Sequence, residues 1–188
     1  MLGPRGERST VDVGVLVSQT VLTPRLEVRL PVETDRERFV DLFRDKHFMV
    51  FSGGVLDSDN AHRRFDEMLE RAAVWPFAKQ PVIERRTGSI LGYSGVNSFE
   101  FEEQRQLEYG YRLVPEARGK GYATEAGRAL LTVAQETFSG EILAMIDPRN
   151  TASKNVARKL GFVFWKKAVV DEFLVNLYRL QVGTTNAS

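Results

Sequence analysis

Arg118-Gly119-Lys120-Gly121-Tyr122-Ala123-Thr124 is the stretch on which the reading of this chain turns. Before it, Gln106 to Val114 reads as a strand. After it, Ala123 to Phe138 carries apolar residues at helical spacing. A glycine-rich turn between a strand and a helix start aims several backbone N–H groups at one point. That is an anion site, and a diphosphate suits it. Two glycines let the backbone approach a ligand closely. Arg118 adds a fixed positive charge at the rim.

Working upstream, Gln106 to Val114 is the last of three strand candidates. Pro81 to Arg85 and Ile90 to Phe99 precede it, joined by Thr87-Gly88 and by a turn at Glu102 to Arg105. The pattern predicts an antiparallel meander. Earlier still, Leu26 to Leu30 alternates as a strand and Pro31 ends it. Thr34-Asp35-Arg36-Glu37 has capping-box spacing before a helix with Phe39, Val40, Leu42 and Phe43 on one face. Ser58 or Asp59 caps a second helix, which Pro76 closes. Downstream, Gly140 stops the long helix and Glu141 to Asp147 is strand-like. Asn150 or Thr151 opens a short helix through Leu160. Phe162 to Val170 and Phe173 to Leu180 supply two last strands. The order β, α, α, β, β, β, α, β, α, β, β predicts one α/β domain with a mixed sheet over 20–182. Residues 1–19 read as a tail or an extra edge strand, and 183–188 as a disordered tail.

Bulk properties narrow the chemistry. A chain of 188 residues can bury a sizeable core. Its 26 Lys and Arg nearly cancel its 25 Asp and Glu, so no long-range field favours nucleic acid. The absence of cysteine removes disulfides, cysteine–zinc sites and a thiol nucleophile. With two histidines, His47 and His62, no metal site is expected. No apolar run is long enough to cross a bilayer, and Asp12 interrupts the short run Val11 to Val17. A cytoplasmic protein with no membrane partner is the expectation.

The glycine turn admits three readings. A P-loop needs G-x-x-x-x-G-K-[ST], but Gly121 and Gly127 are followed by Arg128-Ala129. A dinucleotide fold wants a third glycine where Thr124 stands, and repeated βαβ units instead of a meander. Asp147 alone suits its ribose role. The third reading is a coenzyme A site. Arg118-x-x-Gly121-x-Ala123 matches the Q/R-x-x-G-x-G/A pyrophosphate motif of the GNAT acetyltransferases, and the element order matches as well. Glu108-Tyr109-Gly110-Tyr111-Arg112-Leu113, Asn150-x-x-Ser153-x-x-Val156-x-x-Lys159-Leu160-Gly161-Phe162 and Leu177-Tyr178-Arg179-Leu180 resemble the RimJ/RimL-type branch. The resemblance runs from about Thr20 to about Gln181.

What the resemblance implies is an acetyl-CoA-dependent N-acetyltransferase with a GNAT-type mixed, mostly antiparallel central sheet flanked by helices. The acceptor is a primary amine on a protein N-terminus, an amino sugar or a small metabolite. Arg118 and the N–H array of Gly119, Lys120, Gly121, Tyr122, Ala123 and Thr124 would grip the diphosphate. Backbone groups near Arg112, Leu113 and Val114 would pair with the pantetheine arm. An acceptor amine must lose a proton, so a carboxylate is wanted near the thioester. Glu108, at the start of the same strand, is one candidate base. It is equally read as an ordinary solvated or ion-paired strand residue. Glu172 is a second candidate. Many GNAT enzymes carry a tyrosine proton donor where this chain has Ala157. Ser153 is the RimL-like alternative donor, or else Ser153 and Asn150 hydrogen-bond the coenzyme, with Asn150 also an N-cap. Among Arg149, Lys154, Arg158, Lys159, Lys166 and Lys167, one or two would meet the ribose phosphate. The acceptor cleft would be lined by residues 46–80 and the last two strands. Phe48, Phe51, Trp75 and Phe77 either shape that cleft or belong to the core. Homodimers are common among similar proteins, though no residue here shows one. A non-catalytic acyl-CoA sensor and a dinucleotide-dependent oxidoreductase remain the rival readings.

Overall fold

Strand alternation, turn glycines and helix caps resolve the chain into eight strands and four helices in a computed structural model that describes residues 20–137 and 139–183. In chain order these are β1 (Val21–Leu22), β2 (Leu26–Val28), α1 (Arg36–Arg44), α2 (Ser58–Val74), β3 (Gln80–Glu84), β4 (Ser89–Phe101) and β5 (Gln104–Leu113). Then come α3 (Tyr122–Thr137), β6 (Gly140–Ile146), α4 (Thr151–Lys159), β7 (Val163–Val170) and β8 (Phe173–Val182). The expected order is present, with β1 added. Two residues are too few to show alternation, so β1 left no pattern to read. The expectations for residues 1–19, Phe138 and 184–188 lie outside the described residues.

The eight strands form one sheet in the order β1-β2-β3-β4-β5-β6-β8-β7. Every neighbouring pair is antiparallel except β5 and β6. The sheet is therefore mixed and mostly antiparallel, and it is flanked by the helices as expected.

Local chemistry explains where the helix starts differ from the sequence reading. Thr34 does not cap α1. The N-cap is Asp35, whose carboxylate accepts two bonds from Arg29, at 2.7 and 2.8 Å, and the Val32 N–H at 3.0 Å. A buried carboxylate bonded to a guanidinium outcompetes a lone hydroxyl for this corner. Helix α2 is capped one residue earlier than Ser58, by Asp57, which accepts the Asn60 N–H at 2.8 Å. The turn after β4 is tighter than Glu102 to Arg105. Glu102 and Glu103 alone form it, at φ 50° and 60°, so β5 begins at Gln104.

The core lies in two clusters. One joins α1 and α2 to the β2–β5 half through Phe39, Phe43, Phe48 and Phe65. The other packs β6, β8 and α4 through Ile142, Ala157, Phe162 and Tyr178. Helix α3 serves both, with Ala126 and Leu130 in the first and Leu131 and Ala134 in the second. It thus bridges the place where the sheet is weakest, the β5–β6 junction.

Candidate active site

Parallel strands β5 and β6 hold one registered pair, Glu108 with Leu143. Beyond it, residues 109–113 and 144–146 diverge. The wedge between them is a cavity of 510 Å³ that reaches the glycine turn and α4. The Val114 N–H donates to the Leu91 carbonyl at 2.8 Å. Alternation along the strand then turns the backbone groups of Arg112 and Val114 toward β4. Those of Tyr111 and Leu113 face the wedge instead. Of the three residues expected to pair with a pantetheine arm, only Leu113 presents its backbone there, and Tyr111 joins it. An amide-bearing chain can lie along this edge as an added strand.

At the far end of the wedge, Gly119 and Gly121 have φ of 74° and 83°, the left-handed region that favours glycine. Helix α3 starts at Tyr122, and the Glu125 N–H bonds back to the Gly121 carbonyl at 3.0 Å. The N–H groups of residues 122–124 therefore have no acceptor within the helix, and the helix dipole adds partial positive charge at the same point. This geometry fits a diphosphate. Arg118 is more constrained than a rim charge. Its Nε donates to the Leu113 carbonyl at 3.0 Å and its Nη2 to the His47 carbonyl at 2.6 Å.

The turn is braced from behind by Arg25, which the sequence reading passed over. Arg25 forms an ion pair with Glu125 at 2.6 Å and donates to the Lys120 carbonyl at 2.9 Å. Thr23 also donates to Glu125, at 2.6 Å. Burial pushes the Glu125 carboxyl up, but the bonds from Thr23 and Arg25 outweigh it and hold the group below its ordinary value. The Tyr122 hydroxyl donates to Glu84 at 2.7 Å, so that side chain anchors the helix start to β3.

A second, larger cavity of 940 Å³ opens against α2, the 50–54 loop and the β7–β8 hairpin. It meets the wedge where Val50, Phe51, Lys79, Tyr93, Glu108 and Arg112 line both spaces. Glu108 forms an ion pair with Lys79 at 3.1 Å, the two side chains 15% and 21% exposed. The ion-paired reading of Glu108 holds, and the residue also lines both spaces at their junction. Gly110 makes room for the pair. A Cβ there would lie 3.1 Å from Glu108 Oε1 and 3.1 Å from Lys79 Cε. Glu172 sits elsewhere. It is exposed in the β7–β8 turn with φ 68° and lines only the larger cavity. Asp147 also lines both spaces, and the Arg149 guanidinium holds its carboxyl down to about 2.

On the other face of β5, Tyr111 and Ser153 share a hydrogen bond of 3.1 Å between their hydroxyls. Asn150 caps α4, accepting the Ser153 N–H at 3.0 Å, and both residues line the wedge. Burial pushes the Tyr111 phenol up, so it stays protonated through the neutral range. Tyr111 thus places a phenol in the region where Ala157 leaves none. Its alternation with Tyr109 was visible in the sequence, but its partner Ser153 lies 42 residues away. Lys79 carried no local signal at all. Of the basic residues around α4, Lys159 lines the wedge, while Arg149, Lys154 and Lys166 are bonded to Asp147, Pro148 and Glu102. Phe48 and Phe77 are buried in the core, and the Trp75 Nε1–H donates to the Val96 carbonyl. Phe51 is the one of these four aromatics that lines the larger cavity.

Comparison with known proteins finds a matching family and similar folds. A family model described as "Acetyltransferase (GNAT) domain" matches residues 25–163. The protein YkkB of Bacillus subtilis (strain 168) is 30% identical over 148 residues, covering 78% of this chain and 86% of that one. The crystal structure of an acetyltransferase from Agrobacterium tumefaciens str. C58 superposes with a TM-score of 0.74 at 24% identity, over 93% of this chain and 99% of that one. The structure titled RimL ribosomal L7/L12 alpha-N-protein acetyltransferase in complex with coenzyme A superposes with a TM-score of 0.72 at 16% identity. It covers 87% of this chain and 98% of that one.

Proposed function

This chain belongs to the GNAT acetyltransferase family, and from that premise we propose that it transfers an acetyl group from acetyl-CoA to a primary amine by direct attack on the thioester, as a RimJ/RimL-like enzyme. The observation that carries the proposal is the position of Glu108, at the single β5–β6 pair where the wedge opens into the larger cavity. A donor lying in the wedge and an acceptor lying in the cavity would meet beside it.

Acetyl-CoA would supply the activated acyl group, held by the turn 118–124, the β5 edge and Asn150. Lys159 supplies a cation for the ribose phosphate. The chain's own residues then divide the work. Glu108 accepts a proton from the amine as the nitrogen attacks the acyl carbon and the C–S bond breaks. Lys79 orients the Glu108 carboxylate through their 3.1 Å ion pair. Tyr111 and Ser153, on the opposite face, supply a proton to the departing sulfur. Glu172, exposed in its hairpin, is assigned to the acceptor wall instead of proton transfer. The domain performing this work spans residues 20–182.

Titration with acetyl-CoA and with NAD, followed by thiol release across a panel of amines, tests the reading. Binding of acetyl-CoA alone, with amine-dependent thiol release, is the expected result. Binding of NAD alone would overturn it, and tight acetyl-CoA binding with no release from any amine would favour a sensor.

A further inference from the structure

Arg112 holds a cation at the cavity junction that no acidic residue neutralises among the described residues. Its guanidinium carbon lies 5.6 Å from the ring centroid of Phe48 and 5.6 Å from that of Tyr93. Its Nη1 donates to the Met49 sulfur at 2.8 Å. Among the described residues it forms no ion pair with a carboxylate. Aromatic faces and a thioether fix a guanidinium in place without cancelling its charge. The remaining N–H donors of the fork stay available for an oxyanion.

The surrounding charges sharpen the point. Lys79 already neutralises Glu108, and Arg149 already neutralises Asp147. The excess charge at the junction is therefore that of Arg112. Glu108, Gly110 and Arg112 alternate onto one face of β5, so Glu108 and Arg112 flank a position with no side chain of its own, their Cα atoms about 13 Å apart. The pair sets a carboxylate that can face a nitrogen and a fork that can face an anion on the same face of the strand, both lining the larger cavity. The cavity beside them is walled by Phe51, Met68, Met145, Phe173 and Leu174.

Resting on the acetyl-transfer reading above, we propose that the acceptor is a small amine that also bears a carboxylate, an α-amino acid with an apolar side chain, and that Arg112 binds its carboxylate. A bidentate guanidinium–carboxylate contact is shorter and stronger than a neutral hydrogen bond. An ammonium-rich acceptor such as a polyamine would find open carboxylates at Asp171 and Glu172, which line the larger cavity but not the wedge, and would meet the Arg112 cation at the junction. A peptide N-terminus lacks a carboxylate beside its amine and leaves the fork unfilled.

The test compares matched ligands that differ only at the carboxylate. N-acetyl-leucine and N-acetyl-leucinamide, and the phenylalanine pair, are titrated into the full chain saturated with coenzyme A. Thiol release is measured in parallel with leucine, leucinamide, phenylalanine and phenylalaninamide. The acid of at least one pair should bind and react about 10- to 100-fold better than its amide. Arg112→Met, which keeps an aliphatic stem between Phe48 and Tyr93, should reduce that ratio to about one in the coenzyme-saturated chain. Equal binding of acid and amide, or a ratio that survives in Arg112→Met, overturns the assignment. That failure is distinct from failure of acetyl transfer itself, which would show as absent coenzyme binding or absent thiol release with every amine.

Discussion

Gly110 and Gly95 face each other across β4 and β5, and the same substitution should have opposite consequences at the two. At Gly110 an added Cβ meets Glu108 Oε1 at 3.1 Å, Lys79 Cε at 3.1 Å and Lys79 Nζ at 3.3 Å. All three are ends of flexible side chains and can retreat by a few tenths of an ångström. Gly110→Ala should therefore fold, within about 1 kcal/mol of the parent, or about 2–4 °C in Tm for a chain of this length. The retreat falls on the ion pair that orients the proposed base. Misplacement by 1 Å can cost about 100-fold in rate, so a shift of a few tenths should lower kcat about 3- to 10-fold with little change in coenzyme affinity. At Gly95 the Cβ would lie 2.3 Å from the Ala78 carbonyl oxygen and 2.6 Å from Lys79 Cα, which are backbone atoms. Gly95→Ala should force β3 and β4 apart and lower Tm by more than about 10 °C, in the range of severe overpacking. Differential scanning calorimetry and saturating thiol-release kinetics read both quantities. An active, unaltered Gly110→Ala would refute the claim that the exact seat of Glu108 matters. A Gly110→Ala that unfolds like Gly95→Ala would show that the glycine serves packing alone.

Three further outcomes are expected. Glu108→Gln should lower kcat/KM by about 10²- to 10⁴-fold near neutral pH, and the deficit should shrink as pH approaches the pKa of the amine, where the acceptor loses its proton unaided; a pH-independent deficit in the pH–rate profile would count against a base. Gly121→Glu should abolish coenzyme binding measured by titration calorimetry, because it sets a negative charge against the diphosphate, while the left-handed backbone costs the fold only about 1–2 kcal/mol. Glu125 is held below its ordinary value of 4.5, so its contribution to stability is complete above that pH and is lost as pH falls through the lower folded value; Glu125→Gln should therefore lower Tm at pH 7 and match the parent at strongly acidic pH, and a Tm difference that persists there would deny the linkage.

The parts of the site that were legible in the sequence are the local ones. The turn 118–124 carries its conformation in its own glycines, and Asn150 carries its cap in its own side chain, so neither needs a distant partner to be read. Lys79 is the reverse case. Its meaning comes from Glu108, 29 residues on, and from the empty position at Gly110. The pantetheine edge shows a subtler limit. Sequence alternation tells which side chains share a face, but not which backbone groups point at which neighbour. That phase is set by one bond, from the Val114 N–H to the Leu91 carbonyl, and it moves the open backbone from Arg112 and Val114 to Tyr111 and Leu113. Asp35 illustrates tertiary contact overriding a local cue, because Arg29 claims the carboxylate that fixes the start of α1.

Strand β5 also explains why so much chemistry depends on one register. Successive residues alternate faces, so Glu108 and Arg112 look toward the acceptor cavity while Tyr111 looks toward Ser153 and the wedge. In the proposed reaction a proton would leave the amine on one face while another reached the sulfur on the opposite face, with the reacting carbon between them at the strand edge. A one-residue slip would exchange the two faces, turning Glu108 away from Lys79 and Tyr111 away from Ser153. The long β4–β5 ladder from Gly92–Leu113 to Phe101–Gln104 guards against that slip, with ten consecutive pairs and a two-residue turn to fix the count. The β5–β6 side can then be left with a single pair, and the wedge exists because the register is secured on the other edge.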